Sequence, residues 1–207
     1  MRLVEKHSLS LRIVHWLNVP FLCLMIWSGI LIYWANDEYP GFFPDWFYSA
    51  FHINNRLAEG MAVHFAVGWL FALNGFVYLL WFFISGHWRE LLPTTSTFRY
   101  AWPTVMHDLG LHPVAPPQGK FNAMQRLVYT SVIVLCVLGV LSGFAIYKPV
   151  QLGWLTACFG GYRAARFMHF LVMISLSGIV VLHVLQVVRA GWNNFRAMIA
   201  GFEVDDE

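Results

Sequence analysis

Residues 164–188 read AARFMHFLVMISLSGIVVLHVLQVV, and this stretch decides the fold. From Phe167 to Val188 it holds no Asp, Glu, Lys or Arg, and a run of that length suffices for a helix across about 30 Å of hydrocarbon, which takes roughly 20 residues. Three more charge-free runs, 13–36, 60–88 and 127–147, meet the same criterion. Composition agrees: of 207 residues, 58% are hydrophobic, 17% aromatic and only 12% charged, against roughly 25% charged in an ordinary soluble domain. The predicted fold class is an all-α membrane protein, an antiparallel four-helix transmembrane bundle with spans at about 13–34, 60–84, 127–147 and 164–188. Intrinsic disorder, a soluble enzyme domain and a nucleic-acid binder are excluded, since a net charge of +2 gives no footprint for a polyanion.

The charges outside the spans orient the chain. With the N-terminus in the cytoplasm, Arg2, Lys6, Arg12, Arg89, Arg99, Lys120, Arg126, Arg189 and Arg196 lie inside, and only Arg56, Lys148, Arg163 and Arg166 lie outside. That excess predicts both termini cytoplasmic. The first span has too long an apolar core for a cleaved signal, and no small-x-small site follows it at Tyr33, Trp34 or Ala35. Residues 1–207 form a single domain on this reading. An outer loop, 35–59, carries a short interfacial helix over 45–59, and a cytoplasmic loop, 85–126, with Pro93, Pro103, Pro113, Pro116 and Pro117 is expected as ordered loop with one short helix. A short polar tail ends the chain, and no internal repeat or low-complexity tract is visible. Cys23, Cys136 and Cys158 form no CxxC or CxxCH pattern, which gives neither a disulfide framework nor covalent haem attachment.

Four of the nine histidines fall inside spans: His15, His64, His169 and His183. Ionisable residues at membrane depth face the protein interior and usually mark a site, although a single one can serve as an interhelical hydrogen bond. His169 and His183 are 14 residues apart on one span, which is about 21 Å of rise and within roughly 40° of the same helix face. Their depths, counted from Arg166 and Arg189, pair His169 with His64 near the outer surface and His183 with His15 near the inner one. Two imidazole pairs stacked along a bundle are what two bis-histidine haems require. Zinc or copper would want three or four converging ligands, and a proton relay would want carboxylates, which the spans lack. Arg12, Arg126 and Arg166 are candidate partners for haem propionates as well as flanking topology charges. His7, His52, His87, His107 and His112 sit in termini or loops and receive no role.

The run Arg12, His15, Trp16, then Ser28 and Gly29, with His64, His169 and His183, resembles the bacterial dihaem b-type cytochromes. That group includes the cytochrome b subunits of hydrogenase, formate dehydrogenase and thiosulfate reductase and the bacterial cytochrome b561. The segment Lys120, Phe121, Asn122, Ala123, Met124, Gln125, Arg126 looks like the Lys-Tyr-Asn-Ala-Gly-Gln segment of formate dehydrogenase gamma subunits, with Met124 where that pattern has Gly. Tyr147 to Gln151 with Gly160, Gly161 and Ala165 to His169 looks closest to cytochromes that accompany periplasmic molybdopterin oxidoreductases.

The resemblance implies a bacterial inner-membrane protein holding two haem b groups, with ubiquinone or menaquinone as exchangeable substrate beside the inner haem. It maps a quinone contact onto Asn122, a residue equally suited to cap span three. It also implies a periplasmic redox enzyme docked on outer loops 35–59 and 149–163, and leaves room for an oligomer. Electron transfer between quinone and that partner is the leading expectation. The rivals are a self-sufficient cytochrome b561 acting on a small molecule such as superoxide, and a haem-free helical anchor.

Overall fold

The computed structural model describes residues 2–35, 44–53, 55–117 and 119–205. In chain order the elements are β1 (Arg2–Glu5), α1 (Leu9–Tyr33), α2 (Asp45–Ala50), α3 (Leu57–Ile84), α4 (Trp88–Leu91), α5 (Thr95–Asp108), α6 (Ala123–Tyr147), α7 (Gly153–Cys158), α8 (Tyr162–Ala200) and β2 (Phe202–Asp205). Four of them, α1, α3, α6 and α8, are long and apolar enough to cross a membrane. Large apolar side chains on these helices are exposed, among them Trp69, Leu73 and Phe76 on α3 and Val181, Leu182 and Val188 on α8. Hydrocarbon rather than water is the solvent such faces suit, and a helix satisfies all its backbone polar groups there without outside partners. The protein is therefore an all-α membrane protein of four spans. α1 and α6 each begin four residues before the predicted bound because capping residues, not the last charge, set their starts. Ser8 accepts the Leu11 amide at 3.5 Å to start α1. Asn122 accepts from the Gln125 amide at 2.8 Å while Gln125 Oε1 accepts from the Asn122 amide at 3.0 Å, a reciprocal box that starts α6.

The chain divides into two compact units, one of residues 1–78 with 180–207 and the other of residues 79–179. In the first unit, α1 packs on the beginning of α3, and Leu31, Trp34, Tyr48 and Ile53 form its buried cluster under α2. A methyl on Gly60 would lie 2.9 Å from Leu31 Cβ, so the two helices touch there through the missing side chain. Within the span, Asn74 donates to Asn18 Oδ1 at 2.8 Å and to the Val14 carbonyl at 3.3 Å, a polar clamp between α1 and α3.

The expected polar tail is instead structured. Gly191, with φ 82° and ψ 179°, breaks α8 and starts a terminal helical segment. Gly201, at φ 94°, then turns the chain into β2, which pairs antiparallel with β1 from Arg2↔Asp205 to Glu5↔Phe202. Lys6 ties this ribbon to Glu203 at 2.6 Å and to Asn194 at 3.0 Å. The ribbon thus brings residues 2–5 and 202–205 together.

In the second unit, Ala145, Leu155 and Ala165 form the buried cluster where α6, α7 and α8 meet, and Thr156 donates to the Ala145 carbonyl at 3.0 Å. The segment 85–126 holds two helices rather than the one expected. The second, α5, runs 14 residues with Pro103 inside it; Pro103 removes one helical bond, and that signal had argued for loop.

The helix bounds also expose a repeat that the sequence hides. Both α1 and α6 are 25 residues long, and aligned end to end they share Arg12/Arg126, Val14/Val128, Leu24/Leu138, Ser28/Ser142, Gly29/Gly143, Ile32/Ile146 and Tyr33/Tyr147. His64 and His169 are each the eighth residue of their helix and are each followed by Phe, at 65 and 170. The first and second helix pairs are thus two versions of one pattern.

Candidate functional site

His15 of α1 and His183 of α8 come together in the first unit, with ring centroids 6.2 Å apart and ring planes at 63°. A metal between two imidazoles, at about 2.0–2.1 Å from each nitrogen and with about 1.1 Å more to each ring centre, needs roughly 6.2–6.4 Å. The observed centroid separation falls at the lower edge of that range. His15 Nδ1 is buried and has no hydrogen-bond partner among the described residues. Among the described residues no three His, Cys, Asp or Glu side chains gather in a metal-binding group, so the donor set here is a two-imidazole set. That is the set a haem takes, since its porphyrin supplies the other ligands.

Trp16 meets His15 edge-on at 5.4 Å. It also donates from Nε1 to the Met198 carbonyl at 3.0 Å and packs edge-on against Phe195 at 6.1 Å. The terminal segment of α8 therefore lies over the beginning of α1. Arg12 belongs to this closure: it donates to the Ile199 carbonyl, and a methyl on Gly201 would lie 3.0 Å from its guanidinium carbon. Arg126, its counterpart in the repeat, donates to the Arg89 carbonyl at 3.2 Å. Both arginines keep a buried Nε with no partner among the described residues. Each therefore binds a carbonyl and keeps a buried Nε–H donor of the kind a propionate accepts from. Arg166 stands over the Tyr162 ring at 5.9 Å.

The other two span histidines are described each in its own unit. His64 Nδ1 lies 2.9 Å from Ser28 Oγ, and a methyl on Gly29 would lie 3.5 Å from His64 Cε1. His169 Nδ1 lies 3.0 Å from Ser142 Oγ, and a methyl on Gly143 would lie 3.3 Å from His169 Cε1. Both serines are fully buried. The same Ser-Gly cradle thus holds one imidazole in each half. Sequence reading noticed Ser28 only as part of a family pattern and passed over Ser142. The signal was there in the recurrence of Ser-Gly five residues before the helix-ending Tyr33 and Tyr147.

At the segment 120–126, Asn122 and Gln125 are engaged in the reciprocal cap, and Lys120 donates to Glu90 Oε2 at 2.7 Å. Of the two roles weighed for Asn122, the helix cap is the one this geometry displays. His87, given no role from sequence, is enclosed by Trp81, Phe82 and Phe121 with its ring nitrogen 3.4 Å from Glu90. Burial first, and then the positive charge of Lys120, push its imidazole below the ordinary histidine value, against the pull of Glu90.

Two neighbouring imidazoles on helices long enough to cross a membrane make a candidate haem site in a membrane protein. The chain belongs to the prokaryotic cytochrome b561 family, whose profile matches residues 6–201. It is similar to the putative protein-methionine-sulfoxide reductase subunit YedZ1 of Azospira oryzae, with 33% identity over 182 residues, 87% of this chain and 89% of that protein. The family makes this chain a multi-pass bacterial membrane cytochrome of the b type, engaged in electron transfer.

Proposed function

We propose that the chain is the dihaem electron-transfer subunit of a quinone-linked oxidoreductase in the bacterial inner membrane. His15 and His183 hold the inner haem b; His64 and His169, paired by their sequence depth, hold the outer one. The observation that carries this reading is the 6.2 Å separation of the His15 and His183 rings, supported by the matching Ser-Gly cradles at His64 and His169. Bound haem supplies an iron that passes one electron at a time. The chain's own residues orient the imidazoles, exclude water through the apolar spans, and offer Arg12, Arg126 and Arg166 to carboxylates at the membrane boundaries.

Quinone exchanges electrons at the inner end, beside the segment Lys120 to Arg126. A quinone headgroup needs polar partners at the hydrocarbon boundary, and the Asn122 amide nitrogen is left to donate there while its oxygen caps α6. The similarity to a reductase subunit favours electron flow from quinol outward to a periplasmic catalytic partner of the molybdopterin class, docked on loops 35–59 and 149–163. Of the first loop, residues 36–43 and 54 lie outside the described residues. On this reading the purified full chain carries close to two b-type haems by pyridine haemochrome, and a quinol analogue reduces them. Asn122→Ala should keep both haems yet slow that reduction. A single haem per chain, or no reduction by any quinol, would contradict the proposal.

A further inference from the structure

The two Ser-Gly cradles carry more than packing. A serine hydroxyl has one proton to give. Ser28 Oγ lies 2.6 Å from the Leu24 carbonyl and 3.2 Å from the Met25 carbonyl, both of which can only accept, so its proton is directed back along α1. What Ser28 then turns toward His64 Nδ1, at 2.9 Å, is an oxygen lone pair. Nδ1 must therefore carry the ring proton, and Nε2 carries the lone pair. Ser142 is placed similarly on α6, 2.6 Å from the Leu138 carbonyl, 3.2 Å from the Gly139 carbonyl and 3.0 Å from His169 Nδ1, with the Gly139 carbonyl a second acceptor for the His169 ring. His15 has no such support, since its Nδ1 has no partner among the described residues.

We propose that Ser28 and Ser142 are positioning residues that fix the tautomer and ring orientation of His64 and His169, presenting Nε2 of each to haem iron. This rests on the ligand assignment above. It adds a difference between the haems: the ligands of one are each oriented and made more basic by a serine, whereas His15 at the other has no such partner among the described residues. An acceptor on Nδ1–H makes the imidazole a stronger donor, which favours ferric iron and lowers the potential of the haem it ligates. The glycines complete the cradle unequally. A methyl at 29 meets His64 at ordinary contact distance, whereas one at 143 would press His169 aside by a few tenths of an ångström.

The test is a redox titration of the full-length holoprotein and its variants, following each haem separately. Ser28→Ala and Ser142→Ala should each raise the midpoint potential of the same haem, the one that His64→Ala and His169→Ala remove, and leave the other unchanged. Haem affinity at that site should fall about 10- to 100-fold, and Ser28→Thr and Ser142→Thr should restore the wild-type behaviour. Unchanged potentials in both alanine variants, while His64→Ala still loses a haem, would overturn the positioning role and leave the ligand assignment standing. Retention of both haems by His64→Ala would overturn the ligand assignment itself and this proposal with it. Threonine variants that behave like the alanine ones would reduce the serines to packing and also overturn the proposal.

Discussion

Replacing Gly60 by alanine tests the close approach of α1 and α3 on which the His64 cradle depends. The added methyl would sit 2.9 Å from Leu31 Cβ, 3.2 Å from Ile32 Cγ1 and 3.2 Å from the Ser28 carbonyl oxygen. A Cβ and a backbone oxygen cannot swing away as the tip of a side chain can, so the helices must part. Overpacking of this kind costs about 1–3 kcal/mol, set against a helix-propensity gain of up to about 1 kcal/mol for Gly→Ala. Gly75→Ala on the same helix isolates the packing cost, because a methyl there meets nothing within 4 Å. The two variants share most of the propensity gain, so their stabilities should differ by about 1–3 kcal/mol with Gly60→Ala the weaker. Unfolding in mixed micelles by added dodecyl sulfate, followed by tryptophan fluorescence, measures the difference. Because the Ser28 carbonyl is among the contacts, Gly60→Ala should also disturb the haem that depends on His64. Equal stabilities for Gly60→Ala and Gly75→Ala would refute the close approach.

Asn74→Ala removes both hydrogen bonds from α3 to α1 and should destabilise the chain by about 0.6–1.7 kcal/mol in the same unfolding assay, the range for interhelical bonds in membranes. Burial and Lys120 hold His87 below its ordinary value, so the unfolded chain binds a proton there more readily. The stability this group contributes is full above about pH 6.5 and is lost as the pH falls through that value. His87→Phe should flatten the pH profile of stability below about pH 6.5. A reporter active only in the periplasm, fused after Glu207, should stay silent, and strong activity would reverse the inner and outer labels.

The spans were legible because the bilayer demands length and low charge whatever the packing, and Phe167–Val188 meets both demands. The nearness of His15 and His183 was legible too, since depth can be counted from Arg12 and Arg189 along helices of fixed rise. Ser28 and Ser142 were not, because a serine in a span most often bonds only to its own helix, and nothing in one sequence separates such a residue from one that also reaches an imidazole. The repeat was hidden for a related reason: apolar spans draw on few residue types, so matches such as Leu24/Leu138 carry little information until both helix ends are known. The terminal ribbon escaped because Arg2–Glu5 and Phe202–Asp205 are four residues each, too short to show alternation. The break at Gly191 lies beyond the predicted end of span four. Arg12 read as a flanking charge, and only the fold places it against the Ile199 carbonyl.

The central claim is that four histidines act as two pairs, and haem content in double variants tests it most directly. If His15 works with His183 and His64 with His169, then His15→Ala/His183→Ala and His64→Ala/His169→Ala should each retain about one haem per chain, because the second substitution removes a ligand from a site already lost. His15→Ala/His64→Ala should retain none. Pyridine haemochrome counts on the purified full chain read all three. One haem retained in His15→Ala/His64→Ala, with none in either within-pair variant, would contradict the pairing.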